Sequence, residues 1–185
     1  MGIQSGSQMI SKFVNPKEIL DKVGLNEGDK VADFGCGPGF FTLPVAEIVG
    51  GDGEVYAFDI MPQILENVTS QAKSMGITNI ATKRVNLEKE KSSGLEDNSV
   101  DLVIIKNVLF QNKNKEEIIK EAHRILKDGG KILVMEWNKR NLLVGPEESL
   151  RVDKDDLDRM LIGAGFVLKE QMTAGDFHYI SIANK

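Results

Sequence analysis

The sequence predicts an α/β fold, a mostly parallel sheet with helices on both faces, and three observations carry that expectation. Short β-branched runs alternate with longer stretches of helical periodicity along the chain. The run VDLVIIK at residues 100–106 is almost continuously apolar, as a strand covered on both faces must be. The last two strand patterns are joined only by a turn at Gly175 and Asp176, so they cannot be parallel, and the sheet ends in an antiparallel hairpin.

Asn15 and Pro16 open a helix through Val23, proline being suited to a first turn. Residues 30–34 form a strand and residues 38–49 the helix after it. A second strand covers residues 54–59, followed by a helix over residues 62–75 that Gly76 stops. Residues 79–85 give a third strand and residues 100–106 the fourth. The next helix, residues 116–126, lines up Ile118, Ile119, Ala122, Ile125 and Leu126 and leaves its other face to solvent. Asp128-Gly129-Gly130 then turns the chain into a fifth strand at residues 131–136, and a loop with Gly145-Pro146 spans residues 138–151. A helix over residues 153–164 carries Asp155, Asp156 and Asp158 near its positive end and stops at Gly165. Strands at residues 166–171 and 178–183 complete the pattern, and no internal repeat or low-complexity tract interrupts it.

A chain of 185 residues fits one domain, read here as residues 15–185 behind a flexible amino-terminal segment at residues 1–14. The mixture of 41% hydrophobic and 28% charged residues is that of an ordinary globular protein. No apolar run approaches the roughly 18–20 residues of a membrane span. Residues 1–8 are polar and rich in glycine and serine, unlike a secretory signal. The single cysteine, Cys36, excludes an internal disulfide and an all-cysteine metal site, and no metal is expected. Together these features predict a cytoplasmic setting. A net charge of −5 argues against nonspecific binding to duplex nucleic acid, which depends on basic residues neutralising phosphates. Small-molecule, protein and locally presented RNA substrates stay open, the first being favoured.

The strongest chemical signal is Val31-Ala32-Asp33-Phe34-Gly35-Cys36-Gly37-Pro38-Gly39-Phe40, in which three alternating glycines follow a strand and open a helix. Glycine permits unusual backbone angles and lets the main chain approach a ligand closely. The dinucleotide fingerprint G-x-G-x-x-G does not fit, because the third glycine comes one residue early and Phe40 takes its place. The P-loop does not fit either, since no lysine follows the glycines. Asp33 would repel a pyrophosphate but suits a ligand with a positive amino group. Asp59 ends the second strand about 20 residues beyond the glycines, where an acid accepts hydrogen bonds from a ribose diol. That feature supports an adenosine ligand without separating NAD enzymes from others.

With these residues in place, the chain resembles the class I S-adenosylmethionine-dependent methyltransferases, in particular the ubiquinone/menaquinone-biosynthesis-like group of methyltransferase type 11/25. The resemblance covers residues 15–185. Its anchors are Asp33 to Gly39, Phe58-Asp59-Ile60-Met61-Pro62, Val100-Asp101-Leu102-Val103 with Val108-Leu109, and the stretch Glu121-Ala122-His123-Arg124-Ile125-Leu126-Lys127-Asp128-Gly129-Gly130-Lys131. It implies a Rossmann-like three-layer sandwich whose seven strands lie in the order 3-2-1-4-5-7-6, strand 7 antiparallel. It also implies an enzyme that binds S-adenosylmethionine and releases S-adenosylhomocysteine. By that resemblance Gly35, Cys36, Gly37 and Gly39 line the cofactor, Asp33 lies near its amino group and Asp59 holds the ribose hydroxyls. Ile60 and Met61 pack on the adenine. Asn86 and Leu87 stand where the family has an acid and a small or apolar residue, so Asn86 offers an amide oxygen to the adenine amino group. Lys106 and Asn107 border the methionine portion and the methyl group.

Methyl transfer from a sulfonium is an in-line displacement with an activated leaving group, so positioning and exclusion of water are the protein's contribution. No catalytic residue is assigned. His123 and His178 are read as packing or hydrogen-bonding residues, and Cys36 as a small packing residue, a lone thiol being unable to support arsenite chemistry. Asn107-Val108-Leu109-Phe110 lacks the prolines of the N-P-P-Y motif of amino methyltransferases and falls six residues after Asp101 instead of five, so that acceptor class is rejected. Phe110, Gln111, Trp137, Lys139, Arg140 and Arg151 remain candidates to face a substrate, with residues 9–14 and 138–151 as the segments that would select it. An NAD-dependent oxidoreductase fails on glycine spacing; a non-catalytic S-adenosylmethionine-binding or regulatory protein is the alternative.

Overall fold

The computed structural model describes residues 14–140 and 144–185, so the expected amino-terminal segment lies, apart from Val14, outside the described residues. Helix α1 (Pro16–Val23) starts as the Asn-Pro pair predicts: the Asn15 side chain accepts from the Lys17 amide, and Gly24 at φ 72° ends the helix in the left-handed region. Strand β1 (Lys30–Phe34), helix α2 (Thr42–Val49), strand β2 (Glu54–Asp59), helix α3 (Pro62–Ser74), strand β3 (Ile80–Arg84) and strand β4 (Val100–Lys106) follow. Helix α4 (Lys115–Ile125), strand β5 (Leu126–Trp137), helix α5 (Lys154–Gly163) and strands β6 (Val167–Ala174) and β7 (His178–Asn184) complete the chain. A 3-10 turn at Leu109–Gln111 follows β4.

The strands form one seven-stranded sheet in the order β3-β2-β1-β4-β5-β7-β6. The pairs β1–β2, β1–β4, β2–β3 and β4–β5 are parallel, and β7 runs antiparallel to both β5 and β6. The order reverses on either side of β1, and in such sheets ligands bind outside the carboxyl ends of the strands at that switch. Along β4, Val103 and Ile105 pack into one apolar layer with Ile118, Ile119 and Ala122 of α4 and Leu157 and Leu161 of α5. Leu102 and Ile104 pack into the opposite layer with Leu20 of α1 and Val45 and Val49 of α2. Burial on both sides is why β4 shows no polar alternation.

Three boundaries differ from the sequence expectation by more than one residue. Helix α2 begins at Thr42 and not at Pro38, because Gly35, Gly37 and Gly39 hold φ of 73°, 50° and 88° and keep the preceding residues in turns. Strand β5 already pairs at Leu126, and its register jumps from Val100↔Leu126 to Leu102↔Lys131. Asp128-Gly129-Gly130 therefore bulges out of the strand instead of leading into it. Strand β6 extends to Ala174, because its pairing with β7 continues up to the turn, where Ala174 faces His178. Among the described residues, no helix is long and apolar enough to cross a membrane.

Candidate functional site

The carboxyl ends of β1, β2 and β4 open into a cleft of about 510 Å³, within the usual size range of small-molecule sites. Eleven of the twelve residues expected to contact the cofactor line it: Asp33, Gly35, Cys36, Gly37, Asp59, Ile60, Met61, Asn86, Leu87, Lys106 and Asn107. Gly39 sits beside the cleft, where a Cβ would come 3.2 Å from Leu43 Cγ.

The glycine turn is held from below. The Gly35 and Cys36 amides both donate to the Phe58 carbonyl of β2, at 2.8 and 2.9 Å. Gly35 lies so near the segment after β4 that a Cβ would stand 2.3 Å from Val108 Cγ2. At Gly37 a Cβ would meet nothing within 4 Å, so its backbone faces the open cleft. Two carboxylates flank the turn. Asp59, at the end of β2, accepts from the Gly37 amide at 3.2 Å and the Met61 amide at 2.9 Å, one bond to each oxygen. These bonds fix its orientation and leave lone pairs for a ligand. Asp33 is buried, and its Oδ2 accepts from Thr42 Oγ1 at 2.6 Å. Burial pushes the Asp33 carboxyl up to about 6, against the lowering effects of Thr42 and Lys106.

Past Asp59 the chain exposes two adjacent large apolar side chains at the rim of the cleft, Ile60 at 55% and Met61 at 53%. Across the cleft, Asn86 Oδ1 accepts from the Glu88 amide at 3.0 Å, so the amide expected to meet adenine is already oriented by a local turn. Cys36 is 5% exposed, and burial raises its thiol far above the thiolate range, which makes it inert.

The end of β4 is shaped by Asn107, His178 and Trp137, which sequence reasoning singled out, and by Glu136, which it did not. Asn107 adopts φ 56°, a left-handed conformation that asparagine tolerates better than most side chains. Its amide nitrogen bonds the Met135 carbonyl of β5, and its Nδ2 lies 3.1 Å from His178 Nε2 on β7. His178 stacks at 4.1 Å on Trp137, and burial pushes its imidazole down to about 4, so it is neutral at pH 7. Glu136 is fully buried; its Oε1 accepts from the Leu109 amide at 2.7 Å, which anchors the 3-10 turn beside the cleft. Burial holds that carboxyl up at about 7. A lone acid within Ile132-Leu133-Val134-Met135-Glu136-Trp137 was the available signal, since buried carboxylates occur only where something holds them. Thr42, Phe40, Gln111 and Asn112 were also missed or left unassigned as binding residues; Thr42 bonds Asp33, and the other three line the cleft.

Elsewhere the expected packing roles are visible. His123 packs edge-on against Phe166 at 4.9 Å, away from the cleft. In the loop after β5, the buried Arg151 side chain donates to the carbonyls of Pro146, Asn138 and Val144 and lies 5.7 Å from Trp137. Gly145 is pressed on the same indole, where a Cβ would come 2.7 Å from the ring. Residues 141–143 of that loop lie outside the described residues.

A family model described as Methyltransferase domain matches residues 25–172. The chain is 33% identical over 121 residues to the ubiquinone/menaquinone biosynthesis C-methyltransferase UbiE of Haemophilus ducreyi, covering 65% of this chain and 46% of that protein. A demethylmenaquinone methyltransferase of Anoxybacillus flavithermus is 28% identical over 127 residues, covering 69% of this chain and 52% of that protein. The chain thus spans about half the length of the curated relatives it matches. In fold it is similar to a SAM-dependent methyltransferase from Aquifex aeolicus, with TM-score 0.84 and 23% identity over 92% of this chain and 89% of that one.

Proposed function

The chain belongs to the methyltransferase-domain family of the class I, S-adenosylmethionine-dependent kind, and from that premise we propose that it moves a methyl group from S-adenosylmethionine to a small-molecule acceptor, releasing S-adenosylhomocysteine. The observation that carries this reading is the convergence of the glycine turn, Asp33 and Asp59 on one cleft with two exposed apolar side chains at its rim. Asp59 would take the ribose diol, Ile60 and Met61 the adenine faces, and Asp33 the amino group of the methionine portion. Bound S-adenosylmethionine supplies a methyl group on a sulfonium that already activates its leaving group. The chain's own work is then to orient the donor and keep water out, with Phe40, Asn107 and Gln111 lining the same cleft. The names of the relatives make a demethylated quinone the first acceptor to try. We read residues 15–185 as the single domain doing this, in the cytoplasm, a setting that the single cysteine supports.

Calorimetry with S-adenosylmethionine and S-adenosylhomocysteine should show micromolar binding, with NAD silent as the control. Failure of folded protein to bind either adenosyl ligand would sink the reading, and binding without turnover across an acceptor panel would leave the non-catalytic alternative.

Asp33 adds a pH signature. An ionised carboxylate is needed to hold an ammonium, so the affinity for S-adenosylhomocysteine should rise as pH increases through about 6 and then level. The unliganded fold behaves oppositely. Asp33 binds its proton more tightly folded than unfolded, so nothing is lost below its unfolded value of 3.8, and stability falls as pH rises from there to about 6 and is level above it. The full cost is about 3 kcal/mol at neutral pH. Asp33→Asn should flatten both profiles over this window and weaken the ligand at pH 7.5; profiles unchanged by the substitution would remove Asp33 from the site.

A further inference from the structure

The wall of the cleft that follows β4 is tied to the sheet by an acid that the methyl-transfer reading does not use. Among the described residues, the hydrogen bonds of Val108 to Asn112 mostly close on the turn itself or reach Lys115, with the Gln111 and Asn112 side chains donating back to the Asn107 and Val108 carbonyls. The exception is Glu136 of β5, whose Oε1 accepts from the Leu109 amide at 2.7 Å; the Val108 and Phe110 amides also favour its anion. Its Oε2 is buried and has no partner among the described residues. As an anion, Glu136 would hold a buried charge with one oxygen bare, a costly state. A proton on that oxygen removes the charge and leaves Oε1 accepting from Leu109. The charges around it do not reverse this balance. Lys115 of α4 and Lys106 of β4 favour the anion, Tyr179 of β7 is its cross-strand partner, and Asp153, Asp156 and Asp158 at α5 act on that tyrosine. Burial outweighs them and holds the carboxyl at about 7. The far end of the wall is held differently. Glu88 accepts from the Lys113 and Asn114 amides at 2.7 and 2.9 Å, and those bonds keep its carboxyl below the usual range.

We propose that Glu136 is a proton-operated latch on this wall of the cleft. Its acid form keeps the Val108–Asn112 turn docked on β5, and ionisation loosens the side of the cleft that Gln111 and Asn112 line. The latch belongs to the unliganded chain; its bearing on methyl transfer rests on the adenosylmethionine reading. Lifting the turn lets water from the cleft reach the carboxyl, whose value in water is 4.5. The docked form therefore binds the proton more tightly than the open one. Docking loses nothing below 4.5, weakens as pH rises from there to about 7, and is level above it. Each unit between the two values is a factor of about ten, so the opening equilibrium should shift by about 100-fold.

Amide exchange followed by NMR on the unliganded protein, corrected for the intrinsic effect of pH, reads this opening. Leu109 should lose about 100-fold of its protection between roughly pH 5 and pH 7.5, while Lys113 and Asn114 at the Glu88 end keep theirs. Glu136→Gln, which copies the acid form, should hold Leu109 at its low-pH protection throughout, and Glu136→Ala should leave it poorly protected at every pH. If neither variant folds, the wild-type profile decides, together with the Leu109 amide proton shift, whose midpoint should lie near 7. A flat wild-type profile, protection that rises with pH, or a fall that persists in Glu136→Gln overturns the proposal. Calorimetry keeps the two readings apart: adenosyl binding with a flat profile removes the latch alone, and a working latch without adenosyl binding removes the adenosylmethionine reading alone.

Discussion

Asp59→Ala should weaken S-adenosylmethionine and S-adenosylhomocysteine by roughly 100-fold, because two charge-assisted hydrogen bonds to a ribose diol are lost together. The same carboxylate also holds the Gly37 and Met61 amides, so its removal loosens the glycine turn and the apolar rim at once. Asp59→Asn should fall between, since one amide oxygen still accepts while the charge is gone. Thermal unfolding of the unliganded Asp59→Ala variant should drop modestly, since the bonds to the Gly37 and Met61 amides are lost while both apolar layers stay intact. Calorimetric titration of both variants measures the loss; affinity within twofold of wild type would show that the ribose sits elsewhere.

The second large effect is on the fold. Gly35→Ala places a methyl 2.3 Å from Val108 Cγ2 at a residue with φ 73°, so it combines overpacking with left-handed backbone strain. The two together should cost about 2–4 kcal/mol. Denaturant unfolding should show this as a lower midpoint with an unchanged slope. Adding Val108→Ala removes the atom that is struck and should recover the steric share, leaving about 1–2 kcal/mol of backbone strain. No recovery in the double variant would mean that Gly35 is required by its conformation alone, and an unaffected midpoint in the single variant would contradict the packing described.

The parts of this molecule that depend on neighbouring residues were legible from its sequence. Alternation of strands and helices, the apolar stretch of β4 and the terminal hairpin are local patterns, and the sheet carries them in the expected places. The glycine spacing and the acids at 33 and 59 were legible for the same reason, since each sits at the end of a strand or just after it. What was not legible depends on partners distant in the chain. Glu136 stands out as an acid among apolar residues, but its reason is the Leu109 amide, 27 positions away. Asn107 meets His178 across 71 positions, so neither residue alone announces the pair. The late start of α2 was missed because periodicity extends back to Pro38, whereas the three positive φ values are a cost visible only in the backbone.

The loop after β5 has a consequence for which of its positions can vary. Arg151 grips main-chain oxygens, and Gly145 lies flat on Trp137, so the described part of this loop owes its shape to backbone and not to the side chains it displays. Lys139 reaches Asp153 at 3.8 Å across exposed surface, and a pair of that kind contributes little, so this position can be exchanged while the frame stays intact. Gly145 and Arg151 are the two hinges of that freedom, and losing either would forfeit the frame on which such variation is displayed.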